Sequence, residues 1–187
     1  PYPAALNDFD VVFDWLEFNH AELGIDPQRI SVGGDSAGGN LSACISIRRQ
    51  AEDKKLPKAQ LLIYPVTDLT FSSDSINELA EGFFLTKEVM YWFRDKYLEA
   101  EESFKDPLIS PLFAKDLSRQ PPAVVVTAGF DVLRDEGEAY AKLLKSFDVE
   151  TYYHEYQGYI HGFVNMEMVK GVNDSIIEFC NDFKKIN

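Results

Sequence analysis

The sequence predicts an α/β fold, a mainly parallel sheet of about four strands flanked by helices, with one excursion that leaves the sheet. Three observations predict it. Short apolar runs of the kind that buried strands use alternate with segments of helical periodicity, and Ala123-Val124-Val125-Val126-Thr127-Ala128 is the clearest of these runs. That strand–helix alternation joins parallel neighbours by right-handed crossovers. The stretch 66–118 breaks the rhythm: it is too long for an ordinary connection and carries its own aromatic helix, so it reads as an excursion above the sheet.

Each element has its own reason. Leu6, Phe9, Phe13 and Leu16 recur at helical spacing, which predicts an amphipathic helix from 4 to about 20, broken by Gly24-Ile25-Asp26-Pro27. A strand at 29–33 contains the apolar run Ile30-Ser31-Val32. The helix after it carries Leu41, Cys44, Ile45 and Arg48 and ends in the charged stretch before Pro57. Ala59 to Tyr64 is a buried strand closed by Pro65, and 66–84 reads as irregular. Thr86 caps a helix with Val89, Trp92, Phe93 and Tyr97 on one side. Residues 99–122 are polar and punctuated by proline. After the valine-rich strand, Asp135-x-x-Glu138 has the form of a capping box, and Tyr140, Leu143, Leu144 and Phe147 form the stripe of the helix it opens. Glu150 to Tyr156 is the last strand; Val172, Ile176, Cys180 and Phe183 mark the last helix.

Composition narrows the function classes. Hydrophobic residues make up 45% of the 187, enough for a real core. A net charge of −13 argues against nucleic acid and anionic membrane surfaces as partners and is accounted for by solubility. Cys44 and Cys180 fall in helical patterns and read as small buried hydrophobes. Three histidines without Cys/His/Asp clustering predict no metal site, and nothing calls for a cofactor. No apolar run approaches membrane-spanning length and no signal peptide opens the chain, so no transmembrane segment is expected and the expected location is cytoplasmic. A homo-oligomer stays open. The start at Pro1-Tyr2-Pro3, without Met, reads as a segment of something longer.

The most informative residues are Gly34-Asp35-Ser36-Ala37-Gly38, a Gly-x-Ser-x-Gly between a strand and a helix. A serine lifted above a strand's carboxyl end sits on a tight, strained turn, and the positions two before and two after it are expected to crowd neighbouring backbone, so that only very small residues fit. The helix that starts there aims N–H groups and its positive end at developing negative charge. A phosphate-binding turn is the competing reading. Gly39 stands where the P-loop has Lys, and no Gly-x-Gly-x-x-Gly can be laid on the stretch. Ser36 is therefore the candidate nucleophile.

Serine needs a base, and the base needs an orienting acid. In open α/β sheets the reacting groups come from the carboxyl ends of strands. His161, in a loop flanked by Gly158 and Gly162, is the histidine past a strand end; His154 lies inside the last strand and His20 at a helix end. For the acid, Asp131 follows the valine-rich strand by three residues. Asp68 follows the strand at 59–64 in the same way and remains a rival, though a turn residue after Pro65 explains it as well. Asp135 is better explained as a helix cap. The order Ser36, Asp131, His161 is the order of α/β-hydrolases.

The match then becomes dense. Gly34-Asp35-Ser36-Ala37-Gly38-Gly39-Asn40, Asp131-Val132-Leu133-Arg134-Asp135-Glu136-Gly137 and His161-Gly162-Phe163 resemble the elbow, acid and histidine motifs of the hormone-sensitive-lipase-like family of α/β-hydrolase esterases, with Val132 where that family usually has Pro. Tyr64-Pro65 and Ser110-Pro111-Leu112 are similar to further pieces of the family. The resemblance implies the C-terminal part of an α/β-hydrolase fold, and Ser36, Asp131 and His161 as the triad of a carboxylesterase acting on short- to medium-chain acyl esters. It also implies Ala37 N–H as an oxyanion donor. The family's upstream His-Gly-Gly-Gly segment has no counterpart in this sequence, so the isolated chain is expected to lack most of the oxyanion hole and to catalyse poorly. Phe83, Phe84, Leu85, Val89, Trp92 and Phe93 are the apolar material expected to wall the acyl pocket, with ordinary helix packing as the competing account. Two other functions stay open. One is non-hydrolytic small-molecule binding, as in the gibberellin receptors of the same family, which have lost the histidine that this chain keeps. The other is an amidase or peptidase using the same serine.

Overall fold

The computed structural model describes residues 1–99 and 104–187. The part of the 66–118 excursion at 100–103 lies outside the described residues. Four parallel strands, β1 (Val32–Asp35), β2 (Gln60–Ile63), β3 (Ala123–Phe130) and β4 (Thr151–Ile160), form one sheet in the order β1-β2-β3-β4. Helices α1 (Ala4–Phe18) and α2 (His20–Leu23) precede the sheet, and α3 (Ala37–Ala51) follows β1. The excursion after β2 contains α4 (Ser75–Glu78) and α5 (Lys87–Tyr97); α6 (Arg134–Ser146) and α7 (Val172–Ile186) complete the fold.

Strand alternation divides the core. Leu62, Ala123 and Val125 face α3 and α6, where they meet Ala43, Ile47, Tyr140, Ala141 and Leu144. Leu61, Ile63, Val124 and Val126 face α7 and meet Phe163, Val172, Phe179 and Ile186. The excursion forms its own apolar cluster, in which Leu69, Phe71, Ile76, Leu85, Met90 and Ile109 pack with Val132 and Leu133 from the end of β3. The loop after β3, which holds Asp131, Val132 and Leu133, is therefore packed against the excursion.

Several local expectations shift. The strand expected at 29–33 begins at Val32 and runs to Asp35, because Pro27–Arg29 form a 3₁₀ turn capped by Asp26, whose side chain accepts from Gln28 N–H. β4 extends four residues past Tyr156, to Ile160. The region expected to be irregular, 66–84, holds the short α4. Thr86 caps α5 as expected, accepting from Val89 N–H. The face of α5 is turned from the expected one: Met90 is its buried residue, while Trp92 is 56% exposed. In α7 the buried positions are Val172, Ser175, Phe179 and Ile186, with Ile176, Cys180 and Phe183 beside them, so Phe179 rather than Ile176 centres the face. Asp135 does not cap α6, whose N-cap position is Leu133. The Asp135 carboxylate accepts from Ser75 N–H at 2.8 Å and from Arg134 Nε at 2.7 Å, and it ties α4 to the start of α6.

An ion network centred on the buried Arg49–Asp10 pair fastens α1 to α3. Arg49, 2% exposed, faces Asp10, Asp14 and Glu17 and lies over the Phe13 ring, while Lys54 reaches the second oxygen of Asp10. Burial alone would raise the Asp10 carboxyl, but hydrogen bonds from Lys54 and Arg49, and their charges, outweigh it and hold the group below its ordinary value.

Candidate active site

At the carboxyl end of β1 the chain turns through Ser36 at φ 54°, ψ −116°, and α3 starts at Ala37. A non-glycine residue there is strained and persists only where the surroundings fix it. Ser36 N–H donates to Ile63 O at 2.9 Å, and Ser36 O accepts from Asn40 N–H at 3.1 Å. The glycines allow the corner, though not in the symmetric way expected. A Cβ on Gly34 would stand 2.6 Å from the Gly38 carbonyl carbon, and one on Gly39 would stand 2.9 Å from Pro65. A Cβ on Gly38 would meet nothing within 4 Å. The turn therefore demands Gly34 because Gly38's backbone passes over it, and not the reverse.

His161 follows β4 at 7% exposure, with Gly162 at φ 81° turning the chain immediately after it. Its Nε2 lies 3.0 Å from Ser36 Oγ and its Nδ1 2.7 Å from Asp131 Oδ2. Asp131 is 1% exposed, and its Oδ1 accepts from Leu133 N–H at 3.0 Å. The three expected site residues, delivered by three strand ends, thus meet in one hydrogen-bonded line. The rival groups point elsewhere. The Asp68 carboxylate closes its own turn, accepting from Thr70 N–H and Oγ1 and from Ser72 Oγ. His154 reaches Asp182 on α7 at 2.9 Å, and His20 reaches Glu17 O at the end of α1.

Above Ser36 and His161 opens a cavity of about 610 Å³, lined mainly by apolar side chains, with Ser36, Asn40, Arg94, Tyr97 and His161 bringing its polar groups. Of the expected wall, Phe84, Leu85, Val89 and Phe93 line it. Phe83 and Trp92 do not: Phe83 stacks on Phe130 at 5.1 Å between centroids, and Trp92 sits edge-on to Phe93. Ala37 lines the cavity beside Ser36, and its N–H, in the first turn of α3, has no acceptor within the helix.

Sequence reasoning missed part of the lining. Met90, Arg94 and Tyr97 share the cavity face of α5 with Phe93, and Ala5, Asn40, Leu41, Val66 and Leu69 line the rest. Positions 90, 93, 94 and 97 share one helix face, but Val89, Trp92 and Phe93 form an apolar face beside it, so spacing alone did not choose between the two. Glu136 stood in the motif Asp131–Gly137, but sequence reasoning gave it no role of its own. That side chain is 1% exposed and lies in the first turn of α6. Its Oε1 accepts from the N–H groups of Thr67 and Asp68 at 2.7 and 3.0 Å, while Oε2 has no partner among the described residues. Burial pushes its carboxyl well above the ordinary value; the two backbone donors oppose that shift without cancelling it, and the nearby Asp68 and Asp131 charges add to it. Asn40, one turn into α3, donates to Val66 O and Ile109 O at 2.9 Å each, and so ties two points of the excursion beside Ser36.

Comparison with known proteins follows the same lines. A family profile described as the alpha/beta hydrolase fold matches residues 1–165. The chain belongs to the hormone-sensitive-lipase-like family of that fold. Among curated members it is similar to carboxylic ester hydrolase LipN of Mycobacterium tuberculosis, 43% identical over 178 residues covering 91% of this chain and 47% of that protein. It is also similar to an arylesterase of Saccharolobus solfataricus, 41% identical over 165 residues covering 87% of this chain and 53% of that protein. Among solved structures, an esterase of Pyrobaculum calidifontis superposes with a TM-score of 0.93 at 39% identity, over 99% of this chain and 62% of that one. The chain spans about half the length of the curated α/β-hydrolases it matches. No helix among the described residues is long and apolar enough to cross a membrane.

Proposed function

We propose that this chain carries the catalytic triad of a serine carboxylic-ester hydrolase acting on short- to medium-chain acyl esters. Ser36 is the nucleophile, His161 the general base and Asp131 the orienting acid. The observation that carries the reading is the line from Ser36 Oγ to His161 Nε2 at 3.0 Å and from His161 Nδ1 to Asp131 Oδ2 at 2.7 Å. Its ends are held independently, by the strained corner at Ser36 and by the Leu133 N–H on Asp131.

Ser36 Oγ attacks the ester carbonyl while His161 Nε2 accepts its proton. Asp131 keeps the imidazole in the tautomer that leaves Nε2 free and stabilises the imidazolium. The tetrahedral oxyanion forms at the amino end of α3, where Ala37 N–H donates. His161 returns the proton to the leaving alcohol, and water, activated by the same imidazole, releases the acyl group. The largely apolar 610 Å³ cavity supports an acyl chain rather than a polar or charged group as its occupant.

The relatives are about twice as long as this chain, and the sequence contains no His-Gly-Gly-Gly segment. Each missing oxyanion donor lowers the rate on the order of 10²–10³, so the 187 residues alone should hydrolyse esters slowly. The test is made on the chain expressed with any flanking coding sequence. A serine-directed phosphonate should label Ser36, and Ser36→Ala should abolish p-nitrophenyl acetate and butyrate hydrolysis. Labelling at another residue, or undiminished turnover by Ser36→Ala, overturns the assignment. Faster turnover of matched anilides than of esters would move the reading to an amidase.

A further inference from the structure

Alternation stops where β2 ends, at Ile63. Leu61 and Ile63 face α7, so a regular strand would send Tyr64 to the opposite side with Leu62. Tyr64 instead packs on the same side as Ile63, among Val126, Ala128 and Phe163. The backbone achieves this with φ 35°, left-handed for a residue with a side chain, and immediately before Pro65, a place where the chain normally stays extended. Such a conformation persists only when its surroundings over-determine it. Here the Tyr64 N–H donates to Val126 O at 2.6 Å, and the side chain is completely buried.

The strain places an aromatic ring directly under the candidate base. The Tyr64 and His161 ring centroids are 4.6 Å apart at 55°, and Phe163 closes the far side at 5.7 Å. The phenol hydroxyl reaches Asp35 Oδ2 at 3.3 Å, on the residue just before the nucleophile. One side chain thus touches both the imidazole and the strand end that carries Ser36. From these contacts we propose that Tyr64 is the positioning residue of the triad: its ring holds the His161 imidazole in the plane that points Nε2 at Ser36 Oγ.

The proposal rests on the hydrolase reading above. Two of the imidazole's constraints are hydrogen bonds along its edge, to Asp131 and to Ser36. Both leave the ring free to tilt about the line joining its nitrogens, and a packed aromatic neighbour removes that freedom. An aromatic ring also attracts the imidazolium that forms as Ser36 attacks, so the contact counts for more in the transition state than in the ground state. Tyr64 lies outside the lining of the substrate cavity, so its loss should appear in kcat and not in KM.

The experiment compares Tyr64→Phe, Tyr64→Leu and Tyr64→Met in the chain expressed with any flanking coding sequence, with Ser36→Ala as the control. Phenylalanine keeps the ring and loses the Asp35 contact, and should stay within about threefold of wild type. Leucine loses the ring and should lower kcat about tenfold, the effect of one aromatic contact, with KM within about twofold. Methionine fills more of the space and serves as the ring-less variant if leucine does not fold. A folded ring-less variant with unchanged kcat, a loss confined to KM, or a phenylalanine variant as impaired as the ring-less one overturns the proposal. Those results leave the hydrolase reading intact so long as Ser36→Ala is inactive; an active Ser36→Ala sinks that reading first.

Discussion

Replacing Asp131 with Asn tests the proposed triad acid against its rival, Asp68. The carboxylate has two distinct duties: Oδ2 faces His161 Nδ1 at 2.7 Å, and Oδ1 accepts from Leu133 N–H at 3.0 Å. An amide must divide them. If its oxygen faced His161, its NH₂ would confront the Leu133 N–H, donor against donor, in a site where Asp131 is 1% exposed and water cannot intervene. The amide therefore turns its oxygen to Leu133 and its NH₂ to His161. Nδ1 must then accept, the proton moves to Nε2, and Nε2 can no longer take the proton of Ser36. The same substitution in a triad protease lowers kcat by about 10⁴ through the wrong tautomer, and a fall of about 10³–10⁴ with little change in KM is expected here. Asp68→Asn is the matched control. Its carboxylate accepts from Thr70 and Ser72 and makes no contact with His161, so kcat should stay within a few-fold while stability falls by about 1–3 kcal/mol from the broken turn. The assay is p-nitrophenyl butyrate hydrolysis, with circular dichroism to confirm folding. A collapse of kcat in Asp68→Asn beside a nearly active Asp131→Asn would refute the reasoning.

The elbow and the buried acid behind it make two further predictions. Gly34→Ala places a Cβ 2.6 Å from the Gly38 backbone and should lower stability by about 1–3 kcal/mol with loss of activity, whereas Gly38→Ala meets nothing within 4 Å and should melt within a few degrees of wild type; equal melting temperatures for the two variants contradict the asymmetry. Glu136 has its folded-state pKa raised by burial, so the stability its neutral form supports is complete below the unfolded value of about 4.3 and is lost as pH rises through the folded value. Glu136→Gln cannot ionise, so the melting temperature of the variant relative to wild type should climb from about pH 4 to about pH 8, and a constant difference across that range shows that Glu136 titrates as an ordinary carboxylate.

Chain order carried much of the site because the residues have local signatures. A nucleophile on a strand-to-helix turn needs small residues beside it, and a base beyond the last strand needs a loop, so Ser36 and His161 stand out along the chain. Asp131 and Asp68 do not separate by strand pattern; chain order and the resemblance of Asp131–Gly137 to the family's acid motif are what favoured Asp131. Each follows an apolar strand, and only the folded sheet shows one carboxylate against the imidazole and the other spent on Thr70 and Ser72. The wall of the cavity was half legible for a similar reason. Periodicity shows that α5 has an apolar side, but with Trp92, Phe93 and Met90 all apolar it cannot tell which of them turns inward.

By itself the sequence determined the α/β alternation, the parallel sheet and the Ser, Asp, His order, since each follows from patterns spanning a few residues: periods of two and 3.6, small residues at a corner, and apolar runs. Tertiary structure alone decided which carboxylate faces His161, that Glu136 is sealed behind the acid loop, and that Tyr64 leaves its strand's alternation to lie under the imidazole. Those outcomes depend on contacts between residues 30 to 100 positions apart, and on a backbone angle that a tyrosine adopts only because Val126, Phe163 and His161 are already in place around it.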